Sequence, residues 1–320
     1  MPYYLRHITA ALFLLASSTA AAGQSFEAVG TRAAGMGGAF VAIADDASAA
    51  YWNPAGFASG NVFTLVIDHG IAKSDADARE GVREGSGFLF AMGIPALGLS
   101  YYQIRSTALT ENGPAVRLDT LVTHHTGATL LQSIGGRVVV ATTVKVVRGI
   151  ASSGVAADGA REALLEHAGE LGGRSSTKVD TDVGVMTVGS FFKVGLTIRN
   201  LTNPEFETPA GNSLSLSRQA RAGIAFTLAP GWAVDADFDL LTTHETLGDV
   251  RQIATGTEAR LGRKALIRGG FRVNTAGSDA VAAAAGGSYQ IAGPLFVDGQ
   301  ITRGSDRASH GWGISARFVY

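Results

Sequence analysis

The sequence predicts an all-β fold, a transmembrane antiparallel β-barrel of about 14 strands with a short N-terminal plug, or hatch. Three observations predict it. The chain opens with the pattern of an exported protein, it continues as a train of alternating segments of membrane-strand length, and the connections between those segments alternate between short and long.

Residues 1–23 read as a cleaved signal peptide. Arg6 and His7 precede an apolar run from Ile8 to Ala16, and a small-residue stretch ends at Ala20-Ala21-Ala22. The apolar run is about half as long as a spanning helix requires. Hydrophobic residues nevertheless make up 46% of the chain and glycines number 42, while no later segment reaches ~18 consecutive apolar residues. A chain of this kind crosses a bilayer only as a closed sheet, because hydrocarbon offers nothing to an unpaired peptide group.

Residues 24–60 read as the hatch and residues 61–320 as the barrel. In the hatch, Asp45 and Asp46 precede an alanine-rich turn whose backbone N–H groups they can accept, which predicts a short helix over Ala47–Tyr51. Asn53 is placed as an N-cap with Pro54 at the first helical position, so two helical turns meet at a fixed kink. Gly56 and Gly60 then release the chain into the wall. The glycines of Gly35-Met36-Gly37-Gly38-Ala39-Phe40 imitate a dinucleotide fingerprint, but the sixth position is Phe40 and no strand precedes them. Close backbone packing against the barrel wall explains them better.

The wall segments fall near 61–71, 86–94, 96–106, 117–131, 136–149, 177–189, 191–201, 216–228, 232–242, 251–262, 265–274, 281–292, 295–303 and 309–320. Tight connections lie at Pro95, Ser133–Gly135, Ser190, Ala229–Gly231, Arg263-Lys264 and Gly293-Pro294, where Gly and Pro supply the turn geometry. The others, including Lys73–Glu80 and Thr202–Pro209, are longer and polar and are assigned to the cell exterior. In the longest, Ile150–Ser176, Ala160, Leu164, Ala168 and Leu171 recur at helical spacing. That helix either forms a lip that gathers ligand or docks a partner, or it simply caps the rim.

Facing follows from the period of two. Trp312, Ile314, Ala316, Phe318 and Tyr320 share one side of the last strand, and Gly313, Ser315 and Arg317 the other. Likewise Asp235, Asp237 and Asp239 oppose Trp232, Val234, Ala236, Phe238 and Leu240. With Arg221, Glu258, Arg260, Arg268, Arg272 and Asp298 they form a predicted set of lumen charges, read either as a polar conduction path or as structural ion pairs. A soluble β-sandwich also alternates, but it carries polar residues outside, and the export pattern, loop asymmetry and aromatic end favour the barrel.

The segments Arg32–Phe40 and Asn53-Pro54-Ala55-Gly56 resemble the FadL-type family of outer-membrane transporters for hydrophobic compounds and the related PorV-type barrels of secretion systems. Further echoes occur at Asp182–Val185, Gly195–Leu201 and Arg221–Phe226. The resemblance implies a hatch containing Gly35, Gly37, Gly38, Asp45, Asp46, Asn53, Pro54, Ala55 and Gly56, inside a barrel in the bacterial outer membrane. It also implies a hydrophobic ligand, long-chain fatty acid-like or hydrocarbon, that meets an apolar rim, shifts the hatch and leaves inward or sideways through the wall. The alternative is a non-transporting barrel that holds a secreted or surface protein. Support for pilus or conjugation machinery leaves no residue-level signature.

Other chemistries find little support. The chain has no cysteine, and 26 basic residues balance 27 acidic ones, which removes a thiol nucleophile, a Cys-based metal site and a nucleic-acid footprint. His124 and His125 are adjacent on a strand and point to opposite faces, so they cannot share a metal. No Gly-x-Ser-x-Gly elbow occurs, although His125 and Asp182 remain open to spatial convergence. The expectation is no catalytic residue, no metal, no cofactor and no nucleic acid, with outer-membrane lipid as the surrounding partner.

Overall fold

A computed structural model describes residues 26–58, 61–74, 82–157, 159–245, 247–277, 280–305 and 309–320. The expected signal peptide, residues 1–23, lies outside the described residues, as does Gly60. The chain forms β1 (Thr64–Ser74), β2 (Val82–Ile94), β3 (Leu97–Asn112), β4 (Ala115–Ile134), β5 (Val138–Ala157), β6 (Arg174–Val188) and β7 (Phe192–Arg199). A small hairpin, β8 (Glu205–Glu207) and β9 (Ser213–Ser215), precedes β10 (Gln219–Ala229) and β11 (Trp232–Asp239). A second, β12 (Thr243–Glu245) and β13 (Gly248–Val250), precedes β14 (Gln252–Leu261), β15 (Ala265–Asn274), β16 (Val281–Ala292), β17 (Leu295–Gly304) and β18 (Ser309–Val319).

Omitting the two hairpins, fourteen strands close into one antiparallel barrel, each beside its predecessor and β18 beside β1. All fourteen correspond to the segments read from the sequence. The seam runs from Thr64↔Val319 to Ser74↔Ser309, and Val62 and Phe63 also donate to the carbonyl of Tyr320. Closure pairs the backbone of the first strand with that of the last and removes the free edges of a sheet.

Alternation sorts the side chains as expected. On β18, Trp312 and Ile314 face outward, while Gly313, Ser315 and Arg317 are buried toward the bore. Ile67, Phe90, Leu99, Val144, Phe226, Phe271 and Ile301 extend the apolar exterior around the barrel. Such a continuous apolar belt is suited to hydrocarbon and unsuited to water. Phe63 and Phe318 meet at the seam with ring centroids 5.9 Å apart.

The wall is uneven in height, which the sequence reading missed. Residues 107–116 were expected in a long loop, but β3 and β4 run on through an unbroken register to Asn112↔Ala115 and turn at Gly113 and Pro114. β4 and β5 each span 20 residues, against 8 for β7 and β11. At ~3.3 Å per residue that is roughly 65 Å of strand beside roughly 26 Å. Part of the expected loop 150–176 is therefore strand.

The rest of that loop holds helix α3 (Arg161–Glu170), where helical spacing placed it. Leu164 and Ala168 pack on Leu109, Val116 and Leu118. By the register of β3 and β4 those three share a face with the exposed Leu99 and Leu130, so the helix lies on the outside of the tall wall. It covers apolar strand surface above the belt and stands away from the mouth of the bore.

Val144 lies six residues above the short turn at the foot of β5, roughly 15 Å up a tilted strand and near the middle of the belt, with 54% of its surface exposed. Val144→Arg is expected to destabilise the barrel in phospholipid vesicles by about 2–4 kcal/mol, and Val144→Ala by much less. Denaturant unfolding of vesicle-embedded protein measures both.

Candidate functional site

Residues 26–58 fill the bore. A 3-10 turn (Phe26–Ala28), helix α1 (Thr31–Ala34), helix α2 (Ala49–Trp52) and a second 3-10 turn (Pro54–Ala58) follow one another as short pieces joined by turns. None would persist alone at this length. Their stability comes from packing: Phe26, Phe40, Tyr51 and Trp52 are buried together, with ring centroids 5.1 Å (Phe26–Trp52) and 5.9 Å (Phe40–Trp52) apart. The indole of Trp52 donates to the Val29 carbonyl at 3.1 Å. Gly30, at φ +101°, turns beneath that indole, where a side chain would collide with Nε1.

Plug and wall meet backbone to backbone. Wall glycines receive plug atoms around most of the bore: Gly87 on β2 faces Ala28 O, Gly184 on β6 faces Asn53, and Gly195 on β7 faces Val41 O. Gly256 on β14 and Gly270 on β15 face Met36 O, Gly286 on β16 faces Gly35, and Gly313 on β18 faces Thr31. An added Cβ would stand 2.6 Å from Val41 O at Gly195 and 2.7 Å from Thr31 Oγ1 at Gly313, inside contact distance. At the foot of β2 and β3, Gly93 and Gly98 make room for the ring of Phe57.

Carboxylates from the wall hold the plug's backbone. Asp68 on β1 accepts from Gly30 N (3.0 Å) and Thr31 N (2.6 Å), the free donors that begin α1. Asp237 on β11 accepts from Phe40 N (2.8 Å) and Val41 N (3.0 Å). Each bond meets a buried backbone donor of the plug that would cost about 1–3 kcal/mol if left unpaired.

The predicted hatch residues sit as follows. Gly35 ends α1, and Gly37 and Gly38 turn at φ +71° and +91° beside β15 and Glu27. Asp46 accepts from Ser48 N at 2.9 Å, ahead of an α2 that begins two residues later than expected. Asp45 has another role, pairing with Arg32. Burial opposes its charge, but the Arg32 guanidinium outweighs that and holds the carboxyl below its ordinary range. Asn53 is extended and fully buried; its Oδ1 accepts from Ala55 N at 3.2 Å, and its Nδ2 donates to Val41 O (2.9 Å) and Val185 O (3.2 Å). Pro54 begins the second 3-10 turn, and Ala55 packs on Val139, Ala141 and Met186 of the wall. Gly56 is inside that turn, pressed against the Ala44 carbonyl, so its role is close packing and the expectation that it releases the chain is corrected.

The lumen charges form ties. Arg32 meets Glu258 at 2.7 Å and Asp46 at 3.0 Å; Glu258 meets Arg268 at 2.6 Å; Arg268 and Arg317 both reach Asp298. Arg221 joins Glu27 of the plug at 2.9 Å and Asp239 at 2.6 Å, with its guanidinium 4.1 Å from the Phe26 ring centroid. Asp235 is buried without a hydrogen bond, in register beside Ala225, whose other neighbour is Lys193. Arg260 borders a cavity of about 500 Å³ at the short-turn end, together with Lys193, Asp45 and Phe296. Arg272 borders a smaller one on the opposite side of the plug with Val29, Ile104 and Gln300.

A second cluster brings His125 and Asp182 to the same place, as sequence reasoning left open, but through Lys145 and Tyr102, which it missed. Lys145 on β5, fully buried, lies 3.1 Å from Asp180 and 2.7 Å from Asp182, and donates to Asn200 at 3.0 Å and to Tyr102 at 3.3 Å. His125 stacks on Tyr102 at 4.2 Å, and Arg199 lies 3.5 Å over the ring of Tyr51 in the plug. The period-two pattern of β5 places Lys145 inward, which was the available signal. His125 and His124 do point to opposite faces, the latter reaching Tyr101 outside at 2.9 Å.

Residues 127–239 match the family described as "F plasmid transfer operon, TraF, protein". No curated protein matches the chain. Among solved structures, the chain is similar to the CymD monoaromatic hydrocarbon channel (14% identity, 92% of this chain and 99% of that one, TM-score 0.67). It is similar to the Ralstonia pickettii toluene transporter TbuX (14%, 92% and 99%, TM-score 0.64) and to a Pseudomonas aeruginosa FadL homologue (12%, 94% and 99%, TM-score 0.61). The chain thus shares the barrel fold of these proteins.

Two substitutions probe the plug, and a third on the outer face of the wall is their control. Gly87→Val should drive Ala28 off the wall and open the N-terminal segment to protease while the barrel stays folded; Gly299→Val, with open space around it, should change nothing. Protease digestion with heat-shift electrophoresis reads both. Asn53→Ala removes a cap and two donations to carbonyls, a loss on the order of 2 kcal/mol, and should raise single-channel conductance in planar bilayers.

Proposed function

We propose that the protein is an outer-membrane barrel that passes hydrophobic small molecules, long-chain fatty acid-like or hydrocarbon, without covalent chemistry. The observation that carries this reading is the plugged fourteen-stranded barrel with an apolar exterior, whose fold matches hydrocarbon channels over nine-tenths of the chain. Residues 1–23 serve as the export signal and residues 24–60 as the hatch. Outer-membrane lipid surrounds the belt. Solute enters from the tall-walled side, and the ties around Arg32, Asp237 and Asn53 set how far the plug yields. The two cavities flanking the plug mark the ends of the route.

One observation favours a second reading, a barrel that serves as partner for a secreted or surface-assembled protein. The stretch similar to the TraF family, residues 127–239, includes the lower end of β4, all of β5–β11 and helix α3, so it holds the tall strand β5 and the helix that packs outside the tall wall. A mild-detergent pull-down from native membranes separates the readings, since a bare barrel counts against the second.

Purified protein in liposomes is expected to admit toluene or a long-chain fatty acid several-fold faster than protein-free liposomes. Equal rates, together with no binding of either solute, would overturn the transport reading.

A further inference from the structure

The hairpin β8–β9 folds into the bore and seats one aromatic ring in its wall. Phe206 is completely buried, packed with Leu214 and Leu216 of its own loop against Leu121, Val147 and Ala151. Leu121 and Val147 share the inward face with His125 and Lys145, so the seat lies inside the barrel, on the far side of the Lys145 cluster from the short turns. Gly149 completes it: a side chain there would occupy the space of the Phe206 ring.

Beyond that apolar cluster, the tie from the hairpin to the wall is an exposed ion pair between Glu207 and Arg174 of β6, a kind that solvent screening leaves weak. The hairpin's three residue pairs, from Glu205↔Ser215 to Glu207↔Ser213, are too few for it to stand alone. Its base is firmly fixed, since Thr202 N donates to Asp180 at 3.0 Å, Asn200 N donates to Asp182 at 2.8 Å, and Arg218 N donates to Asn203 Oδ1 at 2.6 Å. Asn200 and Asn203, at φ +54° and +47°, are the non-glycine residues in the left-handed region among the described residues, and they set the bend from which the hairpin leaves the wall. The arrangement is an arm on an anchored bend whose catch is a small apolar knot, the Phe206 ring with Leu214 and Leu216 beside it.

We propose that the Phe206 seat is a binding site for a single aromatic ring, which the chain occupies with its own side chain until an aromatic solute takes its place. The phenylalanine side chain is toluene joined to the backbone, so a free monoaromatic solute matches the seat in size, shape and lack of polarity. Entry of such a solute displaces Phe206, draws Leu214 and Leu216 out of the same cluster and lifts the hairpin, leaving the exposed Arg174–Glu207 pair to resist. The inference rests on the transport reading for its purpose, but lid movement can be measured without transport.

The chain has no cysteine, so spin labels at Ala210→Cys on the hairpin and Val155→Cys on the wall report the lid alone. Adding toluene to the detergent-solubilised labelled protein is expected to lengthen the distance between them. Phe206→Ala in the labelled protein should show the longer distance without solute, and its vacated seat should bind toluene at least tenfold more tightly by calorimetry. Gly149→Leu should also lift the lid, but without the gain in toluene binding. A distance that ignores toluene while liposomes still pass it overturns the lid and leaves the transport reading standing. Movement with toluene but no uptake leaves the site standing and overturns the transport reading. A Phe206→Ala variant that binds toluene no better than the parent overturns the site.

Discussion

The structure depends on a distance of approach, that between the backbone of the plug and the backbone of the wall. Around most of the bore the wall offers glycine where the plug comes nearest, and a single Cβ at these positions would push the two apart. Close approach lets short carboxylates complete the attachment. Asp68 reaches the start of α1 and Asp237 reaches Phe40 and Val41 because the plug lies against the strands that carry them. Helices of four residues persist here because the wall supplies the partners that a longer helix would find within itself.

The charges in the bore belong to the same system. Removing ions from water costs several kcal/mol each, and pairing recovers that only where the remaining donors and acceptors are also met. The Arg32, Glu258, Arg268 and Asp298 chain goes most of the way by sharing carboxylates between guanidinium groups, with Arg268 Nη1 a donor left unmet. These pairs join plug to wall and strand to strand, a structural use of mixed charge in a narrow lumen.

Much of this was legible in the sequence. All fourteen wall strands were found because each has a polar and an apolar face of period two and the tight turns carry Gly or Pro. Where that contrast weakens, the reading failed: residues 107–116 mix threonine, glutamate and leucine on the outward face because α3 covers it, so they read as loop. The hairpin at Phe206 was hidden because strands of three residues leave no period. Lys145 was recoverable from its parity on β5, whereas its partnership with Asp180 and Asp182 depends on register between strands, which a single sequence does not state. The plug motif was visible, but the glycines that receive it were not, since a glycine within a strand reads as a weak point until its neighbour is known.

The grip on α1 has a consequence for how the molecule comes together. Asp68 on the first strand binds the amides of Gly30 and Thr31, while Thr31 lies against Gly313 on the last strand, so the helix rests on both sides of the seam. These contacts join residues near the start of the chain to residues near its end, and the entropy of closing that long loop is spent on zipping β1 to β18. Once the ends are joined, the helix gains its place without a further search. Sealing the cylinder therefore completes the seat of the stopper, and an intermediate with an open seam would lack one side of the surface on which that helix rests.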